Sequence, residues 1–283
     1  MEGLLATTKN FLSKIEKYRR GSSHELGIIW SEAGMEHLKK YLENSRDVKS
    51  ALKKIQTYLV TIPTKPPVLA VNWHLNYLKQ NGIDVENLPA YFDESDFAPK
   101  EALVEINGRS FLPDIFRHFG HLKSLEGIKE LWSKNETRVL ELGAGTGYLA
   151  RLINQQNQNV KYVIIDIPET LCFSFMRLSD EFPDKKVLLI DQPGINEKYN
   201  LQDFDLIFCP TTFKNEVLDL NYDLFINTAS FGEMKSNDVA DWFDTIQQKI
   251  KPTYIFSVNR YLNTLIPGEH DWRHEENGSC LFF

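Results

Sequence analysis

The sequence predicts an α/β protein, a doubly wound and mostly parallel sheet preceded by a helical N-terminal region. Three observations carry this. From about residue 136 short apolar runs alternate with helical patterns, the rhythm of a parallel sheet with crossover helices. The first run ends in a glycine-rich turn, Glu141-Leu142-Gly143-Ala144-Gly145-Thr146-Gly147. Before residue 134 the apolar residues recur at helical spacing instead.

In chain order, Phe11, Leu12, Ile15 and Tyr18 mark a first helix that ends near Gly21. A second begins at Ser31, with Met35, Leu38 and Leu42 on one face. A third runs from about Ser45 through Val48, Leu52, Ile55 and Leu59 until Pro63 stops it. The stretch Pro63 to Pro67 reads as a stiff connector, and Leu69 to Leu78 as another helix with Gly82 just past its end. Residues 83–108 read as irregular. Helices resume near Ser110 and continue through Leu122, Leu125, Ile128, Leu131 and Trp132. The expected division is a helical region over 1–134, on the substrate side, and a sheet domain over 135–283.

Within the sheet domain, strands are expected at 138–142, 161–165, 187–190, 204–208, 223–227 and 254–258. Helices are expected near 147–155, 169–180 and 236–249. Ligands of such sheets bind beyond the carboxyl ends of the strands, so site residues should follow each apolar run. Two runs compete for the third strand, 187–191 and 204–210. The second is favoured because the next strand follows at the usual interval. The other is then an extra strand.

The 283 residues suffice for one large domain or two modest ones. A net charge of −7, from 32 basic and 39 acidic residues, argues against nonspecific nucleic-acid binding. Cys172, Cys209 and Cys280 are too few and too far apart for a disulfide framework or a zinc motif; the first two read as small core residues. No run of 18 apolar residues occurs, and the opening MEGLLATTKN is too short in apolar residues for a signal peptide. The expectation is a cytoplasmic protein without a membrane span. The sequence assigns no oligomeric state. The cluster His270, Asp271, Arg273, His274, Glu275 and Glu276 contains metal-ligand types without a metal-motif spacing, so no metal site is assigned.

Val139, Leu140 and Leu142 suit a buried strand, and Leu149, Leu152 and Ile153 follow at helical spacing. A strand that stops at glycines and turns into a helix leaves free N–H groups that a ligand can approach closely. The dinucleotide fingerprint G-x-G-x-x-G would put a glycine at Tyr148. The pattern here is E-x-G-x-G-x-G, which resembles motif I of the class I S-adenosylmethionine-dependent methyltransferases. A second acid, Asp166, ends the apolar run 162–165, 166 − 143 = 23 residues after the first glycine. That position suits a ribose diol, because a carboxylate accepts two hydroxyl hydrogen bonds. The resemblance implies S-adenosyl-L-methionine as cofactor. It implies contacts from Glu141, Gly143, Ala144, Gly145, Asp166, Ile167 and Asn227, with adenine met by Asp191–Gln192 or, preferably, Cys209–Pro210.

Three further stretches, YVIIDIPETLCFSF (162–175), DLFINTASFGEM (223–234) and YIFSVNRY (254–261), narrow the resemblance. Together with the glycine turn they are similar to the sugar O-methyltransferase family of bacterial surface-polysaccharide clusters. The similarity covers roughly 115–265 and includes FRHFGHLKSLEGI (116–128) more loosely. It implies methyl transfer to a sugar hydroxyl, with a free, a nucleotide-linked and a lipid-linked sugar all open as the acceptor. A hydroxyl acceptor needs a base within hydrogen-bond reach. Glu233, just beyond the fourth major strand, is the first candidate; capping or pairing with the following helix is the alternative. His118 and His121, three apart on one helix, are the second pair, against a plain surface-helix reading. Arg117 beside them is a candidate for holding a phosphate of an activated sugar. Asn259 and Arg260 end the last strand. Trp73, Trp132 and Trp242 are expected in packing roles. Competing functions are methylation of another metabolite or a peptide, an inactive methyltransferase-like binding protein, and an NAD-dependent oxidoreductase, which Tyr148 opposes.

Overall fold

The computed structural model describes residues 2–19, 32–61, 75–76, 78–80, 82, 84, 88–89 and 96–259. The expected connector 63–67, most of the helix 69–78, Trp73, Arg260, the 270–276 cluster and Cys280 lie outside the described residues. At the N-terminus stand α1 (Glu2–Arg19), α2 (Glu32–Glu43) and α3 (Val48–Thr61). The third helix starts later than Ser45 because Asp47 accepts a hydrogen bond from the Ser50 backbone N–H at 2.7 Å, an N-terminal cap.

The stretch read as irregular ends in a hairpin, β1 (Val104–Ile106) paired antiparallel with β2 (Arg109–Phe111). Its turn is Asn107-Gly108, at φ 50° and 74°. Two central residues at positive φ match the right-handed twist of the paired strands, and Asn-Gly is the pair that accepts them. The helix that follows begins at Pro113, not Ser110, because residues 109–111 are in the hairpin. Gly127 then divides it into α4 (Pro113–Glu126) and α5 (Lys129–Trp132).

The sheet carries six strands among the described residues: β3 (Thr137–Leu142), β4 (Val160–Asp166), β5 (Val187–Leu189), β6 (Leu206–Pro210), β7 (Leu224–Thr228) and β8 (Tyr254–Val258). Their order is β5-β6-β4-β3-β7-β8, and every pair is parallel. Helix α6 (Tyr148–Gln156) joins β3 to β4, α7 (Pro168–Glu181) joins β4 to β5, and α8 (Ser236–Thr245) leads toward β8. Strands β3, β4, β6 and β7 are almost wholly buried, as a parallel sheet covered on both faces requires. Phe208 meets Phe175 of α7 on one face. Phe225, one step out of phase with it across the sheet register, stacks on Phe231, which stacks on Phe243 of α8. The architecture is the doubly wound, Rossmann-like one that the sequence predicts.

Both candidate third strands form. β6 lies next to β4, with Pro210 opposite Asp166, and β5 is the extra strand outside it. The chain winds from β3 toward β4 and later returns past it to β7, so the winding reverses between β3 and β7. That reversal is the usual ligand crevice of such sheets. The N-terminal helices join the same core: Phe11 and Ile15 of α1 and Leu52 and Ile55 of α3 are buried, and all three N-terminal helices pack against α7. α1 also reaches the carboxyl rim of the sheet, where Tyr18 meets Phe213 edge-on at 5.1 Å and Lys14 pairs with Asp191 at 2.5 Å. Cys172 and Cys209 are buried free thiols, Trp242 is buried in the core, and Trp132 donates to the Leu125 carbonyl at 2.8 Å.

Candidate functional site

At the carboxyl end of β3 the chain makes its glycine turn, with Gly143, Gly145 and Gly147 at φ 75°, 58° and 78°. The glycines meet different surroundings. A Cβ on Gly143 would collide with the Ser230 side chain, 2.3 Å from its Cβ and 2.4 Å from its Oγ. A Cβ on Gly145 would meet no atom within 4 Å. The turn is thus anchored by protein at Gly143 and opens to free space at Gly145. This is the form of a backbone surface that a ligand can approach.

The other side of the turn is held by Asp166, the last residue of β4. Its Oδ2 accepts the Gly145 N–H at 2.8 Å, and its Oδ1 accepts the Ile167 N–H at 2.8 Å and the Thr170 hydroxyl at 2.6 Å. Burial pushes its carboxyl up to about 6, against the pull of those three hydrogen bonds; nearby Glu233 adds a smaller push in the same direction. A carboxylate offers about four lone-pair positions, so capacity remains for a ligand hydroxyl.

Glu141 sits lower in the sheet, 1% exposed. It accepts the Tyr162 hydroxyl at 2.8 Å, and burial pushes its carboxyl up to about 7. Asn227, opposite Leu142 in the sheet register, is fully buried with its amide committed to protein. Nδ2 donates to the Leu142 carbonyl at 3.1 Å and to Ser230 Oγ at 2.5 Å, and Oδ1 accepts the Phe231 N–H at 3.3 Å. Asn227 thereby ties the end of β3 to the turn after β7, behind the glycines. The Cys209 thiol is buried too and donates to the Phe213 carbonyl at 3.3 Å, so the rim at the end of β6 is formed by Pro210 rather than by sulfur. Ala144 is 8% exposed and Ile167 half-buried at the lip of the turn.

Glu233 closes the single helical turn Ser230–Glu233 that follows β7. It is half-buried and close enough to act electrostatically on both Arg117 of α4 and Asp166 beside the glycine turn. His118 is 6% exposed, which removes the plain surface-helix reading for it. Its ring lies 5.6 Å from that of Tyr148, the residue after the last glycine. His121 lies edge-on to His118 at 6.0 Å and to Phe256 of β8 at 5.6 Å. The structure therefore brings Asp166, Glu233, Arg117 and His118 into one electrostatic neighbourhood beside the glycine turn, with His121 on its β8 side. Asn259 stands apart, donating to Ser257 Oγ at 2.9 Å.

Two contributors have no counterpart among the sequence candidates. Arg177 of α7 is fully buried, with its guanidinium 4.3 Å over the Tyr148 ring and 5.1 Å over Phe97. Asp114, in the first turn of α4, accepts from Arg117 Nη2 at 2.9 Å and from His118 Nε2 at 3.2 Å. The signal for Asp114 was present: it precedes Arg117 by three residues and His118 by four, one helix face. Among the described residues no group of three or more His, Cys, Asp or Glu is arranged to hold a metal ion, and no helix is long and apolar enough to cross a membrane.

No protein-family model matches the chain. It is similar to the malonyl-acyl-carrier-protein O-methyltransferase of Acetivibrio thermocellus, 26% identical over 139 residues, 45% of this chain and 47% of that protein. The chain thus spans about half the length of this curated relative. Among solved structures, the Haemonchus contortus phosphoethanolamine N-methyltransferase 2 in complex with S-adenosyl-L-methionine aligns over 48% of this chain and 26% of its own, at 15% identity and a TM-score of 0.31. Coclaurine N-methyltransferase, bound to N-methylheliamine and SAH, aligns over 80% of this chain and 62% of its own, at 14% identity and a TM-score of 0.31.

Proposed function

We propose that the chain is an S-adenosylmethionine-dependent methyltransferase that methylates a hydroxyl group of a sugar. The observation that carries the cofactor reading is the open space at Gly145, bounded by the Asp166 carboxylate, at the point where the sheet reverses its winding. The partial similarity to a curated O-methyltransferase supports it. The residues fit the cofactor: backbone N–H groups of the glycine turn and Ala144 for its amino-acid end, Asp166 for the ribose diol, and Ile167 and Pro210 for the adenine. Glu141 and Asn227 support that surface from beneath. When bound, the cofactor supplies an electrophilic methyl group on a sulfonium.

The chain's own residues then have two tasks, to align the acceptor and to take its proton. Glu233 is the proposed base, because it follows β7 at the carboxyl end of the sheet and acts electrostatically on both Asp166 and Arg117. His118 and His121 line the acceptor side. The helical region 1–134 forms that side of the site, and the sheet domain 135–283 the cofactor side. Lys14 already occupies Asp191, which favours Cys209–Pro210 over Asp191–Gln192 as the adenine contact.

Isothermal titration calorimetry with S-adenosylmethionine and S-adenosylhomocysteine tests the reading. Micromolar binding, weakened by Asp166→Ala, is expected. An absence of heat at millimolar cofactor, or tighter binding of NADH, would overturn it.

A further inference from the structure

The two protein donors that reach Asp114 converge on one oxygen. Arg117 Nη2 and His118 Nε2 both meet Oδ2, and among the described residues Oδ1 accepts no hydrogen bond. The Asp114 side chain is 49% exposed. Even so, burial is the largest influence on its carboxyl, pushing it up before Arg117 and His118 outweigh it and hold it well below the usual carboxylate range. Asp114 thus presents a solvent-accessible oxygen on the helix face that carries Arg117 and the buried His118, whose ring lies 5.6 Å from that of Tyr148.

The charges around this carboxylate are unequal. Arg117 faces Asp114 directly and Glu233 beyond it, so its charge is already countered. Glu233 also acts electrostatically on Asp166. Burial, Arg117 and Arg177 all drive His118 toward its neutral form, against the pull of Asp114. Arg177 is stacked on Tyr148 and Phe97. A phosphate placed beside Asp114 would meet its carboxylate, and beside it an arginine whose Nη2 is already paired with that carboxylate.

We propose that Asp114 is a specificity-determining residue of the acceptor site: its Oδ1 accepts a hydrogen bond from a hydroxyl or ammonium group, so the part of the acceptor docked there is an uncharged polyol or an amino sugar, not a sugar phosphate. This rests on the methyltransferase reading above. His118 is a positioning residue. In the tautomer that carries its proton on Nε2, His118 donates to Oδ2 and steadies it. Arg117 completes the clamp from the same helix face. Its role is then to orient Asp114 and not to hold a phosphate.

The test is ligand-observed NMR on the full chain with S-adenosylhomocysteine present, using a panel of monosaccharides each offered as the neutral sugar, the amino sugar and the phosphate. Neutral and amino forms should bind at least tenfold more tightly than the matching phosphates. Asp114→Asn should weaken the best ligand about tenfold, while the folded variant keeps its S-adenosylhomocysteine affinity. Asp114→Glu, which keeps the charge and moves the oxygen, should fall between. A preference for phosphates, a change under twofold in Asp114→Asn, or no sugar binding by the unmodified chain would overturn the proposal. The unmodified chain alone decides the phosphate question should the variants misfold. If S-adenosylhomocysteine itself fails to bind, the methyltransferase reading falls; if it binds and phosphates win, only the role of Asp114 falls.

Discussion

Gly143 and Ser230 touch so closely that a single added carbon on Gly143 would lie 2.3 Å from the Ser230 Cβ. The end of β3 and the turn after β7 are in contact through a glycine, at the reversal point of the sheet. Gly145, two residues on, faces space. Alanine at the two positions should therefore act differently. Gly143→Ala carries the left-handed backbone cost of about 1–2 kcal/mol plus the collision, and should lose more than about 2 kcal/mol in urea denaturation. Gly145→Ala carries roughly the backbone cost alone but fills the space above the turn. It should stay folded and weaken S-adenosylhomocysteine at least tenfold; unchanged affinity would show that the ligand does not use that space.

Glu141 should make stability fall as pH rises. Its carboxyl is held near 7 in the folded chain against 4.5 as the ordinary value, so the folded state keeps a proton that the unfolded state has lost. Stability is then complete below about 4.5 and declines as pH rises through about 7. The shift corresponds to roughly 3 kcal/mol. Glu141→Gln keeps a neutral acceptor for the Tyr162 hydroxyl at every pH. The gain in thermal midpoint over the unmodified chain should be near zero at pH 4.5 and largest at pH 8. A gain independent of pH would contradict the buried, proton-holding carboxyl.

Asp166 should give cofactor binding a pH dependence of its own. Burial raises its carboxyl to about 6, and a ribose diol is held best by the ionised form. Binding below pH 6 must expel a proton, so affinity should be about tenfold weaker at pH 5 than at pH 7, with a plateau above. Calorimetry in buffers of different ionisation heat would detect the released proton. In Asp166→Asn the slope should vanish and the affinity stay low throughout.

Glu233→Gln separates proton transfer from binding. Turnover should fall by 10²- to 10⁴-fold, the usual worth of a positioned base, with cofactor affinity within about twofold. Turnover measured by mass spectrometry that stays unchanged would remove Glu233 from the role and leave the histidine side of the site.

The elements that the sequence marks well are those whose signals are local. The apolar runs 138–142, 161–165 and 223–227 became β3, β4 and β7 within one residue of their expected bounds, because full burial on both faces leaves a continuous apolar signature. The hairpin at Asn107-Gly108 escaped because its strands are three residues each, too short for a period-two pattern to register. Its turn residues alone carried the signal. Asp114 escaped for another reason: a single acid in a first helical turn reads as a partner of the helix dipole until its neighbours are known. Asn227 and Cys209 were legible as positions just past strands, but whether their side chains face a ligand or the core depends on what packs behind them.

By itself the sequence determined the winding of the sheet domain, the glycine turn on its first strand and the acid at the tip of its second. Strand alternation, glycine spacing and the distance to that acid are all properties of the chain read in order. Only the tertiary structure decided which glycine is pressed by protein and which faces space, that Asp166 holds the turn through Gly145, and that α4 brings Asp114, Arg117 and His118 beside it. Those relations join residues 20 to 120 positions apart, roughly, and arise from packing, which no local pattern encodes. The opening acid-and-glycine motif thus bears on what the fold can cradle, while the groups that face the acceptor come from a helix and a turn whose meeting is visible only in three dimensions.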